Sequence, residues 1–403
     1  MKNIILIMPY GSVGGMERLA LTFYNHYQLK GYNVKAIKLI KLESDIINFN
    51  DDDEYFLSEK DFFELSALKR ILFYFLAPYK IRKILKKENA THSISFGDMA
   101  NIFSSLTFTK EKKISSIHAL KSVELNDTNS FNKLIKISYK KLYGPFSKVV
   151  CISNDIKRDL IENCGFNYPK KMEVIYNPHN VKRLLELSNE PIDNTEEEEL
   201  FSKKTILFIG RLSIQKSPWH LINSFYLLQK NKIDANLIFI GDGNQQVINH
   251  IKSLATKYNV IDKIHFLGRK NNPYKYLKRA NVLALSSHYE GTPNVIVESI
   301  AVGVPVVSSY CTDGIIELMS LDSHKIKNEN KFVDAGIVTP NLYKGSLGIP
   351  KNNEFLLEEE KFADALKHAL ESSKLKENLL SKRDELLSKF DVEIVSEKYL
   401  SIK

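Results

Sequence analysis

The sequence predicts an α/β protein made of two doubly wound domains facing each other across a cleft, on three observations. The chain has 403 residues, about twice the usual length of one domain. In each half, short apolar runs without polar alternation, as expected of parallel strands covered on both faces, alternate with helix-length segments. Glycine- and proline-rich breaks follow several of those runs, where doubly wound sheets place their ligand-binding loops. A composition of 43% hydrophobic, 26% charged and 10% aromatic residues excludes a disordered, collagen-like or coiled-coil chain.

Residues 3–8 form an uninterrupted apolar run and are expected to be a central strand. Pro9, Gly11, Ser12, Gly14 and Gly15 make the following loop, and residues 16–28 carry Leu19, Phe23 and Tyr27 at helical spacing. Gly31 then precedes a second strand over 34–40, which completes a right-handed βαβ unit. The loop lacks the Gly-x-Gly-x-x-Gly spacing, so a nicotinamide fingerprint is not supported. A further strand over 114–117 ends at His118. The first domain is expected to occupy residues 1–190, and the acidic stretch 191–200, with Glu196 to Glu199 in a row, is expected to be the linker. In the second domain, 201–385, strands are expected over 206–209, 237–240, 264–267, 282–285 and 304–307. Residues 386–403 are expected to form a tail that packs back on the first domain.

Of the net charge of +9, residues 1–190 contribute +8 and the rest +1. Such asymmetry either attracts nucleic acid, an anionic membrane or a phosphorylated acceptor, or solubilises a lysine-rich surface. Residues 65–87 hold seven cations and no acid; Pro78 is expected to break or kink this segment, with Ile81, Ile84 and Leu85 on one face. That pattern fits a helix lying in a membrane interface, or a packed helix with a solvated basic face. No nucleic-acid-reading module is recognisable. The three cysteines (Cys151, Cys164, Cys311) have no metal-ligand or disulfide spacing. The apolar run at 4–8 is too short for a signal peptide or a membrane span. The expected location is the cytoplasm, peripheral at the inner face of the membrane. Asp51-Asp52-Asp53 lies in an acidic loop rather than after an apolar strand, so no metal site is expected there.

The strongest motif is Glu290-Gly-Thr-Pro-Asn-Val-Ile-Val-Glu298, followed by Gly303-Val-Pro305-Val-Val307. Thr292 is a good N-cap and Pro293 a good first helical residue, so the amides from Asn294 onward are expected to point at an anion such as phosphate. The carboxylates of Glu290 and Glu298 suit hydroxyls at opposite ends of a nucleotide sugar. The loop Gly210-Arg211 to Lys216, after the strand at 206–209, brings two cations suited to the charge of a departing diphosphate.

With Gly14-Gly15-x-Glu17 near the N terminus, these motifs resemble the retaining glycosyltransferases of family 4 over nearly the whole chain. The resemblance implies the GT-B fold, with two Rossmann-like domains and a nucleotide sugar held mainly by the C-terminal one. It implies hexosyl transfer with retention from a nucleoside-diphosphate sugar, UDP-sugar being the expected donor, without an essential metal or other cofactor. The expected acceptor is a hydroxyl of a surface polysaccharide or lipid-linked glycan of bacterial type. Carried over, Arg211 and Lys216 grip the diphosphate, Glu298 the ribose and Glu290 the donor sugar. Gly15 lies against the donor phosphate, Gly241 and Asp242 form the donor-side loop, and Arg269 sits in a turn near the base. Thr292, Pro293, Asn294 and Val295 begin the phosphate-binding helix, and His118 lies near the transferred sugar. The segment 175–180 departs from the family in ending in Asn180 where an aspartate is usual, and it is assigned no chemistry. The alternatives are an epimerase of the same fold and an inactive nucleotide-sugar or membrane-binding module; the intact Arg211, Lys216, Glu290 and Glu298 argue against the last.

Overall fold

Each apolar run becomes a parallel strand sealed by helices on both sides, which is why neither face needs polar alternation. The computed structural model describes residues 2–10, 15–43, 45–61, 64–125, 130–322, 328–350 and 354–401. The chain divides into two units, Met1–His179 with Phe390–Lys403, and Asn180–Lys389.

The first unit contains β1 (Asn3–Met8), β2 (Asn33–Lys38), β3 (Glu54–Phe56), β4 (His92–Phe96), β5 (Lys112–Ile117), β6 (Lys148–Cys151) and β7 (Met172–Val174). They form a parallel sheet in the order β3-β2-β1-β4-β5-β6-β7, with Ile4 of β1 opposite Val34 on one side and His92 on the other. One face buries Ile4 and Leu6 against Phe23 and Tyr27; the other buries Ile5, Ile7 and Ile37 against Ile81, Phe103 and Tyr139. The C-terminal helix Val392–Leu400 completes the first of these cores. Tyr399 packs on Phe23 at 4.6 Å between ring centroids and shares a 2.9 Å hydrogen bond with Ser116, while the Tyr27 hydroxyl donates to the Ser396 carbonyl at 2.9 Å.

The second unit contains β8 (Lys204–Ile209), β9 (Ala235–Ile240), β10 (Ile264–Phe266), β11 (Val282–Leu285), β12 (Val306–Ser309), β13 (Lys331–Val333) and β14 (Gly336–Thr339). Their order is β10-β9-β8-β11-β12-β14-β13, all parallel except the antiparallel edge pair β13–β14, which has no counterpart in the sequence reading.

The chain passes between units at 179/180 and 389/390 rather than near 190 and 386. The acidic stretch is not a linker. Residues Thr195–Glu199 are a helix of the second unit, because the basic segment after β10 neutralises it: Glu197 pairs with Lys270 at 2.6 Å and accepts from the Tyr276 hydroxyl at 2.6 Å, and Asp193 pairs with Lys275 at 2.9 Å. Upstream, the Asn180 side chain caps the helix Val181–Ser188. Pro78 does not break its helix, which runs continuously over Ala67–Lys87 with Pro78 buried on the inner side. Of the two readings of the face carrying Ile81 and Leu85, the structure has the packed helix: both are core residues because that side packs on the sheet. Asp53 pairs with Lys35 at 2.7 Å and accepts from the Tyr24 hydroxyl at 2.6 Å. Burial pushes its carboxyl up, but Lys35 and Tyr24 outweigh that and hold it below the ordinary value.

Candidate active site

In the second sheet the chain order reverses between β8 and β11, since β8, β9 and β10 run to one edge and β11 and β12 to the other. In open α/β sheets ligands bind at such a point, outside the carboxyl ends of the strands. The loop 210–217 after β8 and the loop 286–293 after β11 meet there. The Ser217 hydroxyl donates to the Ser286 carbonyl at 2.6 Å, the Ser286 hydroxyl donates back to the Ser217 carbonyl at 3.2 Å, and the His288 amide donates to the Gln215 carbonyl at 2.8 Å. Ser217 has φ 38°, a left-handed conformation unfavourable to non-glycine residues, and these reciprocal bonds hold it.

This stitching joins Lys216 to Glu290. The Lys216 ammonium pairs with Glu290 Oε1, which also accepts from the Ser287 hydroxyl at 2.7 Å; both side chains are largely buried. An ammonium has three protons, so one contact to Glu290 leaves donors for another anion. Arg211, in the same loop, is exposed and makes no ion pair with any described residue. Nearby burial pushes the Cys311 thiol up, and the Glu290 carboxylate adds to that.

Helix Asn294–Val302 begins four residues after Glu290. Its N-cap is Pro293, one residue later than expected, and no side chain caps the helix. Thr292 is not the cap: its hydroxyl is buried and without a hydrogen-bond partner, while the Pro293 carbonyl accepts from the Ile296 amide at 3.0 Å. Asn294 and Val295 therefore open the helix, with no side-chain cap from residue 293. Glu298 stands about one turn in, buried, and accepts from the Tyr274 hydroxyl at 3.2 Å.

The loops after β8 and β9 run against each other as closely as backbones allow. A Cβ on Gly241, whose φ is 141°, would lie 2.0 Å from the Gly210 carbonyl oxygen. Asp242 donates no side chain to this contact; its carbonyl accepts from the Leu212 amide at 2.8 Å, and its side chain is exposed, as is that of Arg269 after β10.

Behind the Glu290 loop lies a buried polar chain that sequence reasoning missed. Glu359 Oε1 bonds His220 Nδ1 at 2.6 Å and accepts from Asn223 at 2.9 Å, and His220 Nε2 meets His288 Nε2 at 2.9 Å. Burial holds His288 down to about 4, with His220 adding to the effect, so its imidazole is neutral. No local signal marks this chain, because its members are 68 and 139 residues apart.

Two candidates lie in the first unit. Gly15 begins the helix Gly15–Leu29 and is exposed, while its neighbour Gly14 lies outside the described residues. His118 follows β5, with its ring 6.2 Å from that of Phe96 and Nε2 buried without a partner. Burial, reinforced by Lys121, lowers it to about 3.

Residues 191–331 match the family model described as glycosyl transferases group 1, and residues 13–183 match that of glycosyltransferase family 4. An uncharacterised glycosyltransferase of Methanocaldococcus jannaschii is 28% identical over 78% of this chain and 79% of its own. The N-acetylgalactosamine-N,N'-diacetylbacillosaminyl-diphospho-undecaprenol 4-alpha-N-acetylgalactosaminyltransferase of Campylobacter jejuni is 26% identical over 81% and 86%. The crystal structure of HepE from Anabaena, in complex with UDP and glucose, superposes with a TM-score of 0.72 over 99% of this chain and 98% of that one, at 16% identity, a likeness of fold.

Proposed function

This chain is a glycosyltransferase of the GT-B fold, and from that premise we propose that it moves a hexosyl group with retention from a nucleoside-diphosphate sugar, a UDP-sugar, to a hydroxyl of a glycan or lipid-linked acceptor at the cytoplasmic face of a membrane. The observation that carries this reading is the Lys216–Glu290 pair at the switch point, with Arg211 exposed in the same loop and the start of helix Asn294–Val302 after it. Such a set of groups favours a ligand with two phosphates at its centre and hydroxyls on either side.

In this reading Lys216, Arg211 and the amides of Asn294 and Val295 bind the diphosphate. Gly241 lets the neighbouring loop approach, and Glu298, positioned by Tyr274, accepts from the ribose hydroxyls. Glu290, fixed by Ser287 and Lys216, accepts from a hydroxyl of the donor sugar. As the bond from C1 to the diphosphate oxygen breaks, negative charge grows on that oxygen, where Lys216 and Arg211 stabilise it. The acceptor oxygen bonds to C1 on the same face, and its proton passes to the departing diphosphate. Glu290 need not gain or lose a proton. His118, kept neutral by burial, is suited to hydrogen-bond a sugar hydroxyl rather than to supply positive charge. The retaining course and the UDP preference rest on the sequence resemblance. The lipid-linked acceptor rests on the Campylobacter relative, whose name specifies a diphospho-undecaprenol substrate.

The test is consumption of UDP-sugars with and without lipid-linked saccharides, analysed for the anomeric configuration of the product. Acceptor-dependent release of UDP with retention supports the reading. Conversion of the donor sugar without acceptor indicates an epimerase, and stabilisation by UDP without turnover indicates a binding module.

A further inference from the structure

Helix Ala67–Lys87 has two apolar stripes, and the sheet accounts for only one. Phe73, Ala77, Ile81 and Leu85 face the core. Leu68, Ile71, Leu72, Phe75, Leu76 and Tyr79 recur at helical spacing on the opposite side, with Leu68 77% and Phe75 78% exposed and the other four at 40–55%. A soluble surface rarely gathers six large apolar side chains on one stripe. After Pro78 that outer side turns cationic, with Lys80, Lys83, Lys86 and Lys87 exposed.

A second helix repeats the pattern. Ser130–Lys141 buries Ile135 and Tyr139 and exposes Phe131, Leu134 and Ile137 between Lys133, Lys136, Lys140 and Lys141. Both helices pack against Asp98–Ser105 on the same side of the sheet. Phe73 and Tyr74 meet Phe103 edge to face, with ring centroids 6.0 and 5.9 Å apart, and the Tyr139 hydroxyl donates to Asp98 at 2.7 Å. In the loop leaving Asp98–Ser105, Phe108 adopts φ 51° and is 75% exposed. A bulky residue in the left-handed region is strained, and here the strained residue presents an aromatic ring to solvent.

We propose that the outer stripe of Ala67–Lys87, Phe108 and the outer face of Ser130–Lys141 form one docking surface that lies on an anionic lipid bilayer, apolar side chains in the headgroup boundary and lysines on lipid phosphates. The surface deepens the reading of a membrane-bound acceptor and rests on it for its purpose, but not for its geometry. The two helices hold eleven cations and no acid. That composition selects the occupant. Protein interfaces are depleted in lysine, and pairing with a second copy would oppose two like-charged surfaces. A plane of phosphates matches both the charge and the apolar fringe.

The test is sedimentation of the full chain with vesicles of phosphatidylcholine alone and of phosphatidylcholine with phosphatidylglycerol, beside turnover on soluble donor and the mass in solution by light scattering. Binding is expected to the vesicles with phosphatidylglycerol, weakened by salt. Ile71→Ser with Phe75→Ser, on exposed positions, should leave the circular dichroism spectrum and donor turnover unchanged and weaken vesicle binding by at least about tenfold. Lys83, Lys86, Lys133 and Lys136 to Gln should weaken it by a similar factor and flatten the salt dependence. Absence of binding to either vesicle overturns the proposal, as does full binding by the serine variant, which would reveal unspecific charge attraction. A dimer that the serine variant splits also overturns it, in favour of self-association. Loss of donor turnover in the wild type with vesicle binding intact would instead overturn the transferase reading and leave this surface standing.

Discussion

Replacing Lys216 with alanine separates the ion pair that the structure shows from the leaving-group stabilisation proposed for the same ammonium. In the resting protein it neutralises Glu290, whose side chain is about 8% exposed and would keep, among the described residues, the Ser287 hydroxyl. Stranding a buried carboxylate in this way costs roughly 3 kcal/mol in stability, somewhat less here because Lys216 keeps about 18% exposure. Glu290→Gln removes the charge that Lys216 balances and should cost ~1–2 kcal/mol. In the double variant neither charge is orphaned, so the two losses should fail to add by about 1–3 kcal/mol in urea unfolding. Turnover should behave differently. Removal of one stabiliser of leaving-group charge costs on the order of a hundredfold, and the glutamine substitution cannot restore it. The assay is UDP release under single-turnover conditions on the four proteins of the cycle, with unfolding measured on the same preparations. Near-normal turnover in Lys216→Ala would refute the diphosphate assignment; additive stability losses would refute the ion pair as a coupled unit.

Three more outcomes follow from the geometry. Glu298→Ala should raise the donor KM with little change in kcat, because a ribose contact is equally strong in ground and transition states, and a pure kcat loss would contradict that role. Gly241→Ala should lower the thermal midpoint strongly, by the equivalent of at least about 2 kcal/mol, since its Cβ would sit 2.0 Å from the Gly210 carbonyl oxygen; an unchanged midpoint would refute the close approach. Burial holds His92 and His288 near 4 and His118 near 3, so below the ordinary histidine value near 6.5 the unfolded chain binds protons that the folded chain does not. Stability should be fully present above that value and fall as the pH drops from there toward 4, by of order 1 kcal/mol per pH unit for each histidine. Urea midpoints that stay flat between pH 7.5 and 5 would contradict this.

Much of the candidate site was legible because its parts are local. Gly210 to Lys216 and Glu290 to Glu298 each follow an apolar strand on the chain, and a strand buried on both faces appears in sequence as an unbroken apolar run. Such local patterns expose the presence of loops at strand ends, together with their charges. The helix start was legible to within one residue, and the shift to Pro293 reflects the inward burial of the Thr292 side chain.

What the sequence determined by itself was the alternation of strand and helix in two halves and the chemistry carried by each loop, since both depend on neighbours within a few residues. The tertiary structure decided which loops meet, and so that Lys216 pairs with Glu290, 74 residues away. It decided that Asn180 and not the acidic stretch begins the second unit, because lysines after β10 neutralise that stretch. It decided which of two apolar stripes on Ala67–Lys87 faces the sheet, and it assembled Glu359, His220 and His288 from three distant segments. Contacts of this kind leave no periodic trace, because what fixes them is the order of strands in a sheet and the side on which each helix crosses it.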